Sequence, residues 1–318
     1  MPINNSLTTL ILPAKNAEKT IGKAIKSVIS LAESTPIQLI VIEDGSSDRT
    51  LDIIRENFCQ TEKFEVTVVS NPLSIGPGPS RNSALKLAKG KSIGFIDADD
   101  ALMPEQYLKV ISEAQSGNFD IIIFDDVKGV YDRQRSKGLL DSITRFELLR
   151  RMQIDGSVIY SLFSTQLIVD HQLQFGRHYF EDIQFQYGAI AVADKIKITP
   201  EKCYVKTNTS GSILNSFTPR HVDGVISVLN WMDQTLQKLD RSNISSDDFL
   251  ADVAYGVRGL LYQTIVQGHG ENDSLAVLRL TKFIESGLDL ERVLFGVTES
   301  KKDLYLKKLT TLINHEKL

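Results

Sequence analysis

Four polar clusters in this 318-residue chain have residue types and spacings that can do chemistry. Asp97-Ala98-Asp99-Asp100 follows the apolar run 93–96. Two carboxylates one residue apart, on a chain leaving a strand, can hold a hard divalent cation against a diphosphate or divide between a ribose and a metal. A bare pair of this kind also caps helices and solvates loops, so it gains meaning only from its context. Glu43-Asp44-Gly45-Ser46-Ser47-Asp48 follows a second apolar run, 38–42. Asp44 there can accept a hydrogen bond from a nucleobase N–H, whereas Ser46, Ser47 and Asp48 read as turn and helix-cap residues.

The third cluster is Gly76-Pro77-Gly78-Pro79-Ser80-Arg81-Asn82. A loop entering a helix presents N–H groups to anions, although Pro77 and Pro79 remove two of those donors. Arg81 can form charge-assisted bonds to a phosphate or to an acidic side chain of the site. The Lys-Ser/Thr pair of a P-loop is missing. The fourth cluster is Phe180-Glu181-Asp182. Two carboxylates at a helix start are ordinarily just favourable with the helix dipole; the functional alternative is a general base that deprotonates a hydroxyl.

The elements that must position these residues alternate strand and helix. Apolar runs at 9–12, 38–42, 66–69, 93–96 and 120–124 predict buried strands. Helical spacing at 20–31, a helix through Leu51, Ile54 and Phe58 capped by Ser46 or Ser47, and helices at 81–89 and after Pro104 fall between them. Continuously apolar strands separated by helices imply an α/β fold, with a mostly parallel sheet covered on both faces. Ligands of such sheets bind beyond the carboxyl ends of the strands. The segments after strands one, two and four, Pro13-Ala14-Lys15-Asn16 among them, should therefore line one edge. The middle of the chain predicts a helix at 146–152, extended segments at 158–163, 196–198 and 203–205, and a helix at 181–192. From about residue 218 the periodicity becomes helical throughout, at 221–239, 247–267, 274–285 and 301–313. Residues 1–217 thus read as one domain and 218–318 as a helical C-terminal region.

Composition excludes other classes. A net charge of −4 does not suit a general nucleic-acid binder. The two cysteines, Cys59 and Cys203, belong to no Cys/His cluster, which argues against zinc and suits a reducing compartment. No charged-then-apolar leader and no apolar run of spanning length is present. The expectation is a soluble cytoplasmic protein, able to touch the inner face of the cell membrane at its periphery.

Taken in order, the motifs resemble family 2 glycosyltransferases of the GT-A (Rossmann-like) fold, over about residues 8–216. Ile11-Leu12-Pro13-Ala14-Lys15-Asn16-Ala17 is similar to that family's first strand and P-x-x-N turn. Val41-Ile42-Glu43-Asp44-Gly45-Ser46-Ser47-Asp48 resembles its V-D-D-G-S-x-D segment, with Glu43 in place of the first Asp. Ser80-Arg81-Asn82-Ser83-Ala84-Leu85 resembles A-R-N-x-G-L, Phe95-Ile96-Asp97-Ala98-Asp99-Asp100 resembles F-L-D-x-D-D, and Glu181-Asp182-Ile183-Gln184-Phe185 resembles E-D-x-x-F. The Pro-rich 76–79 loop departs from the family pattern and lacks the usual Asn before it.

The resemblance implies an inverting transfer from a UDP-sugar to an acceptor hydroxyl of a glycan or glycolipid, with Mn²⁺ or Mg²⁺ as cofactor. Pro13, Asn16 and Asp44 would line the nucleoside pocket, with Asp44 on the base. Arg81 would support the ribose and phosphate side, Asp97 would face the ribose or a metal-bound water, and Asp99 would ligate the metal. Asp182 would be the catalytic base, and Lys206 and Ser212 would close on the pyrophosphate. The helical C-terminus resembles extensions on bacterial cell-surface glycan transferases, including those of wall teichoic acid, which aid self-association or acceptor binding. Lipopolysaccharide and capsule synthesis belong to the same expectation. Two rivals are a sugar-nucleotide nucleotidyltransferase, which the segment after strand one fits poorly, and a non-catalytic sugar-nucleotide or glycan-binding module.

Overall fold

The computed structural model describes residues 4–57, 60–128, 138–140 and 156–207, together with Asp223, Gly224, Ser227, Val228 and Trp231. Cys59, Ser212, the expected helix at 146–152 and nearly all of 218–318 lie outside the described residues. The chain forms two compact units. The second contains His178–Phe180 and the described positions from 223 onward. Within it, a Cβ on Gly224 would lie 2.4 Å from the Tyr179 carbonyl oxygen, so the backbones are in close contact there.

The first unit is a mixed sheet with flanking helices. Its elements begin β1 (Asn4–Ala14), α1 (Ile21–Ala32), β2 (Ile37–Asp44), α2 (Thr50–Glu56), β3 (Phe64–Asn71), α3 (Pro77–Leu85) and β4 (Gly90–Phe95). They continue with β5 (Ala101–Leu102), α4 (Pro104–Ser116), β6 (Ile121–Asp126), β7 (Gly138–Leu140), β8 (Ser161–Ser164), α5 (Thr165–Asp170), α6 (Glu181–Val192) and β9 (Ile196–Val205). The strand order is β3-β2-β1-β4-β8-β6-β9-β5, with β7 paired to β9. Strands β3, β2, β1 and β4 are mutually parallel, as are β6 and β9. β8 runs antiparallel between β4 and β6.

The core sits where the apolar runs predict it. All eight residues of β2 are buried, because helices cover both faces of a parallel sheet. α1 buries Ile21, Ala24, Ile25, Val28 and Leu31, a stripe at helical spacing. Thr9 and Gln38 are also fully buried, and they are hydrogen-bonded as burial demands. Gln38 Oε1 accepts from Thr9 Oγ1 (2.7 Å) and from the Lys89 N–H (3.0 Å), and Gln38 Nε2 donates to the Leu87 carbonyl (3.1 Å). This network ties the start of β4 to the amino-terminal ends of β1 and β2, away from the carboxyl edge.

Several local expectations are corrected. α3 starts at Pro77 rather than Arg81. Pro77 and Pro79 fit its first turn, where no intrahelical N–H bond is needed. Gly76, at φ +94°, supplies the turn into the helix. α2 starts at Thr50, not behind Ser46 or Ser47. Asp48 Oδ1 accepts from the Thr50 N–H and hydroxyl, and the two serines turn instead toward Asn16. The extended segments at 196–198 and 203–205 are one strand, whose register with β6 is irregular near Pro200, a place where a sheet tolerates proline. Residues 158–160 form a 3-10 turn before β8.

Gln38→Leu would remove the partner of the buried Thr9 hydroxyl and of the half-buried Lys89 N–H and Leu87 carbonyl; a polar group left unpaired inside a protein costs about 1–3 kcal/mol. Urea denaturation should show a loss of roughly 2–4 kcal/mol.

Candidate functional site at the carboxyl edge of the sheet

The parallel register brings the polar clusters together. Ala14 is level with Glu43, Glu43 with Ser70, Asp44 with Asn71, and Ile11 with Phe95. The chain therefore leaves β1, β2, β3 and β4 on one edge, carrying Pro13 and Asn16, Asp44, the 71–76 loop, and Asp97 with Asp99.

Arg81 is the centre of this edge. Its side chain is 4% exposed, and it meets three carboxylates from two other segments. Nη2 donates to Asp97 Oδ1 (2.8 Å), while Nη1 is shared by Glu181 Oε1 (2.8 Å) and Asp182 Oδ1 (2.7 Å). The fork of the guanidinium joins the loop after β4 to the first turn of α6. The sequence left open whether Arg81 serves a phosphate or an acidic side chain, and in this structure it serves the carboxylates. These remain reachable, with Asp97 34% and Asp182 19% exposed.

One positive charge against three negative ones leaves the cluster short of cation. Burial pushes the Asp182 carboxyl up; Arg81 opposes this, and Glu181 and Asp97 push it up again, to about 7. An ion pair and a raised pKa coexist here because burial, together with Glu181 and Asp97, outweighs the attraction of Arg81. Ser157 Oγ donates to Asp182 Oδ2 at 3.3 Å. The Arg81 guanidinium is held above its usual range by Asp182, Asp97 and Glu181, despite burial, and keeps its charge.

The acidic loop after β4 is anchored by its last member. Asp100 is buried, and its Oδ1 accepts from the Thr207 N–H (2.7 Å). Tyr204, on β9, accepts from the Asp97 N–H (3.0 Å) and hydrogen-bonds Asp100 as well. Burial raises the Asp100 carboxyl to about 6. Lys206 lies between the end of β9 and Thr207, beside this loop.

Asp44 is buried and fully engaged. Oδ1 accepts from Asn71 Nδ2 (2.8 Å) and the Ile75 N–H (3.0 Å), and Oδ2 from Ser74 Oγ (2.7 Å) and the Gly76 N–H (2.9 Å). Burial alone would raise its carboxyl, but these four bonds outweigh it and hold the pKa below the usual value. Gly45, at φ +67°, lets the 71–76 loop fold over; a Cβ there would lie 2.8 Å from the Ser74 nitrogen. Glu43 is held by Ser46 and Ser70. Asn16, at φ +49°, receives the Ser47 N–H on Oδ1 (2.9 Å) and donates its own N–H to Ser46 Oγ (3.0 Å). In this structure Asn16 and Asp44 are thus organisers of their loops.

The donor set suits a hard divalent cation. Among the described residues no three His, Cys, Asp or Glu side chains form a metal cage. Mg²⁺ and Mn²⁺ sites of nucleotide enzymes need only one or two carboxylates, with phosphates and water completing the shell. Asp97 and Asp99 offer that number. No described helix is long and apolar enough to cross a membrane.

Asn82, Phe175, Asp100, Tyr204 and Glu181 were not singled out as site residues in the sequence. Asn82, Asp100 and Glu181 carried a signal, as neighbours of residues that were.

Comparison with known proteins agrees with this fold. Residues 9–164 match Glycosyl transferase family 2. Over 206 residues the chain is 27% identical to a poly(ribitol-phosphate) beta-glucosyltransferase of Bacillus spizizenii, covering 62% of this chain and 31% of that protein. It is 27% identical to the poly(ribitol-phosphate) beta-N-acetylglucosaminyltransferase TarS of Staphylococcus aureus over 62% of this chain and 34% of that one. The chain thus spans about a third of the length of these two relatives. The crystal structure of S. aureus TarS 1-349 in complex with UDP-GlcNAc superposes with a TM-score of 0.68 at 21% identity, covering 90% of this chain and 82% of that one. The mannosyltransferase PcManGT from Pyrobaculum calidifontis, in complex with GDP-Man and Mn²⁺, gives 0.54 at 12% identity, covering 96% and 83%. These likenesses establish the GT-A fold. Through residues 9–164, just under half of its length, the chain is similar to glycosyl transferase family 2.

Proposed function

We propose that the chain is an inverting, metal-dependent glycosyltransferase that moves a sugar from a UDP-sugar to an acceptor hydroxyl in bacterial surface glycan synthesis. The observation that carries this reading is the Arg81 fork, which holds Asp97 of the D-x-D segment and Asp182 of α6 on one guanidinium. A transferase of this kind needs a carboxylate at the departing diphosphate and a base across the anomeric carbon from it. The poly(ribitol-phosphate) relatives and the UDP-GlcNAc complex of TarS support a hexose or N-acetylhexosamine donor and a cell-wall polymer acceptor.

In the proposed reaction Asp182 takes the proton of the acceptor hydroxyl. That oxygen bonds to the anomeric carbon as the bond to the diphosphate breaks, with inversion. The raised proton affinity of Asp182 makes it a stronger base than an exposed carboxylate. Asp99 would hold Mn²⁺ or Mg²⁺, which when bound would neutralise charge on the leaving diphosphate, and Asp97 would face the ribose or a metal-bound water. Pro13, Asn16 and Asp44 line the nucleoside side. For Asp44 to accept from a base N–H, one of its four loop bonds must give way. Lys206 and Ser212 are proposed for the pyrophosphate. We assign catalysis to residues 1–217, and acceptor binding or self-association to 218–318, at the inner face of the membrane.

UDP with Mn²⁺ should raise the melting temperature, and EDTA or Asp99→Ala should abolish the rise. No shift with UDP, GDP, CMP or dTDP at millimolar concentration would instead favour a non-catalytic module. Asp182→Asn should lower kcat by about 10²–10⁴-fold while leaving nucleotide binding intact. Because the base must be ionised, kcat/KM of the wild type should fall about tenfold per unit below pH 7. The raised Asp182 pKa means that the folded state binds its proton more tightly than the unfolded state does. Stability from this group is full below about pH 4 and is lost as pH rises through about 7, and urea midpoints of Asp182→Asn should lack that component. Arg81→Gln leaves three acids without a counter-charge and should cost about 3–5 kcal/mol at pH 8. The deficit should narrow toward pH 5, where Asp182 takes up its proton.

A further inference from the structure

We propose that Phe175 is a positioning residue for the base: it fixes Arg81, carried by α3, against Asp182, carried by α6. The proposal rests on the reading of Asp182 as the base. Phe175 touches every element that contributes to the cluster. Its ring lies under the Arg81 guanidinium, with Cζ 5.4 Å from the ring centroid. It stacks on Phe185 of α6, centroids 4.2 Å apart and planes 9° from parallel. Its edge meets Phe95, two residues before Asp97, at 5.2 Å.

The backbone of Phe175 is held as firmly as its ring. Asn82, the neighbour of Arg81 on α3, donates from Nδ2 to the Phe175 carbonyl (3.0 Å) and accepts the Phe175 N–H on Oδ1 (2.9 Å). This closed pair of bonds imitates a strand pairing and satisfies both backbone groups of a buried residue. The next residue acts as a spacer. A Cβ on Gly78 of α3 would lie 2.1 Å from the Gly176 carbonyl oxygen, and one on Gly176 would lie 2.4 Å from Gln184 Oε1 of α6. Residues 175–176 are therefore wedged between the two helices whose separation sets the ion pair.

The ring matters for electrostatics too. Among the described residues Arg81 Nε has no hydrogen-bond partner, and an aromatic face is the contact that a desolvated guanidinium can use in place of one. Without the ring the guanidinium loses that contact and gains room to move, which weakens its hold on Asp182. Among the described residues the charged groups facing Asp182 are Arg81, Glu181 and Asp97, so the loosened cation leaves two acids to dominate.

The test is ¹³C NMR of the full chain labelled at aspartate carboxyls, with the Asp182 signal assigned by its loss in Asp182→Asn. Phe175→Leu should raise the Asp182 titration midpoint by about half a pH unit or more, on the order of a threefold gain in proton affinity. Phe163→Leu removes a ring from the same cluster, one that touches Phe95 and Phe185, and should leave the midpoint unmoved. Asn82→Ala, which keeps the ring and removes the backbone pair, should shift it in the same direction and decides the matter if Phe175→Leu does not fold. Wild-type midpoints in the folded variants overturn the proposal, as does an equal shift in Phe163→Leu. Sugar transfer retained by Asp182→Asn would overturn the base reading and the catalytic part of this proposal with it, a result distinguishable from an unmoved midpoint.

Discussion

Three carboxylates from two segments of the chain meet on one buried guanidinium, and the arrangement of the carboxyl edge follows from that shortage of positive charge. Asp97, Glu181 and Asp182 repel one another, and burial makes Asp182 costly to ionise. Arg81 makes their approach tolerable by bonding to all three. Such a buried cluster is weak as a source of stability, since an apolar replacement of similar shape often does as well. Its presence is better explained by what it positions: the end of β4, the start of α3 and the start of α6.

Other interactions serve that placement. The register of four parallel strands levels the chain exits, so the polar segments arrive side by side without long loops. Asp44 gathers the 71–76 loop through four hydrogen bonds, which leads the chain into α3 and hence to Arg81. Tyr204 and Thr207 fasten Asp100 from β9 and the segment that follows it. The third acid of the D-x-D-D segment is therefore an anchor, leaving Asp97 and Asp99 at the more open side. Far from this edge, Gln38 closes the amino-terminal side with neutral hydrogen bonds that bring no charge near the site.

Much of this was legible because local pattern and global position coincide. Apolar runs such as 38–42 say that a strand is buried on both faces, and the polar residues that end them must then lie at the ligand edge. Direction and partner are different matters. The segment at 158–163 is apolar whether it runs parallel or antiparallel, so the insertion of β8 between β4 and β6 has no signature in composition. Prolines at 77 and 79 read as a loop, yet they are equally at home in a first helical turn. Arg81 offered a phosphate or an acid as partner, and the choice depends on Glu181 and Asp182, a hundred residues away. Phe175 reads as one more core aromatic. Its significance appears only when α3, α6 and β4 converge on it.

The same geometry explains why the central cation is arginine. A lysine ammonium is a compact point charge, and one placed between Asp97 and Asp182 would have to favour one of them. The guanidinium sends Nη2 to the loop after β4 and Nη1 to the helix start, so each end has its own donor. Its planar face meanwhile rests on Phe175, a contact that an ammonium makes less well. The pull of Arg81 on Asp182 then has a chemical consequence. A carboxylate with a whole cation to itself would be a weak base, and one with no cation would stay protonated at neutral pH. Burial, Glu181 and Asp97, set against Arg81, hold Asp182 between these extremes, where a carboxylate can both lose its proton near pH 7 and take one from a hydroxyl.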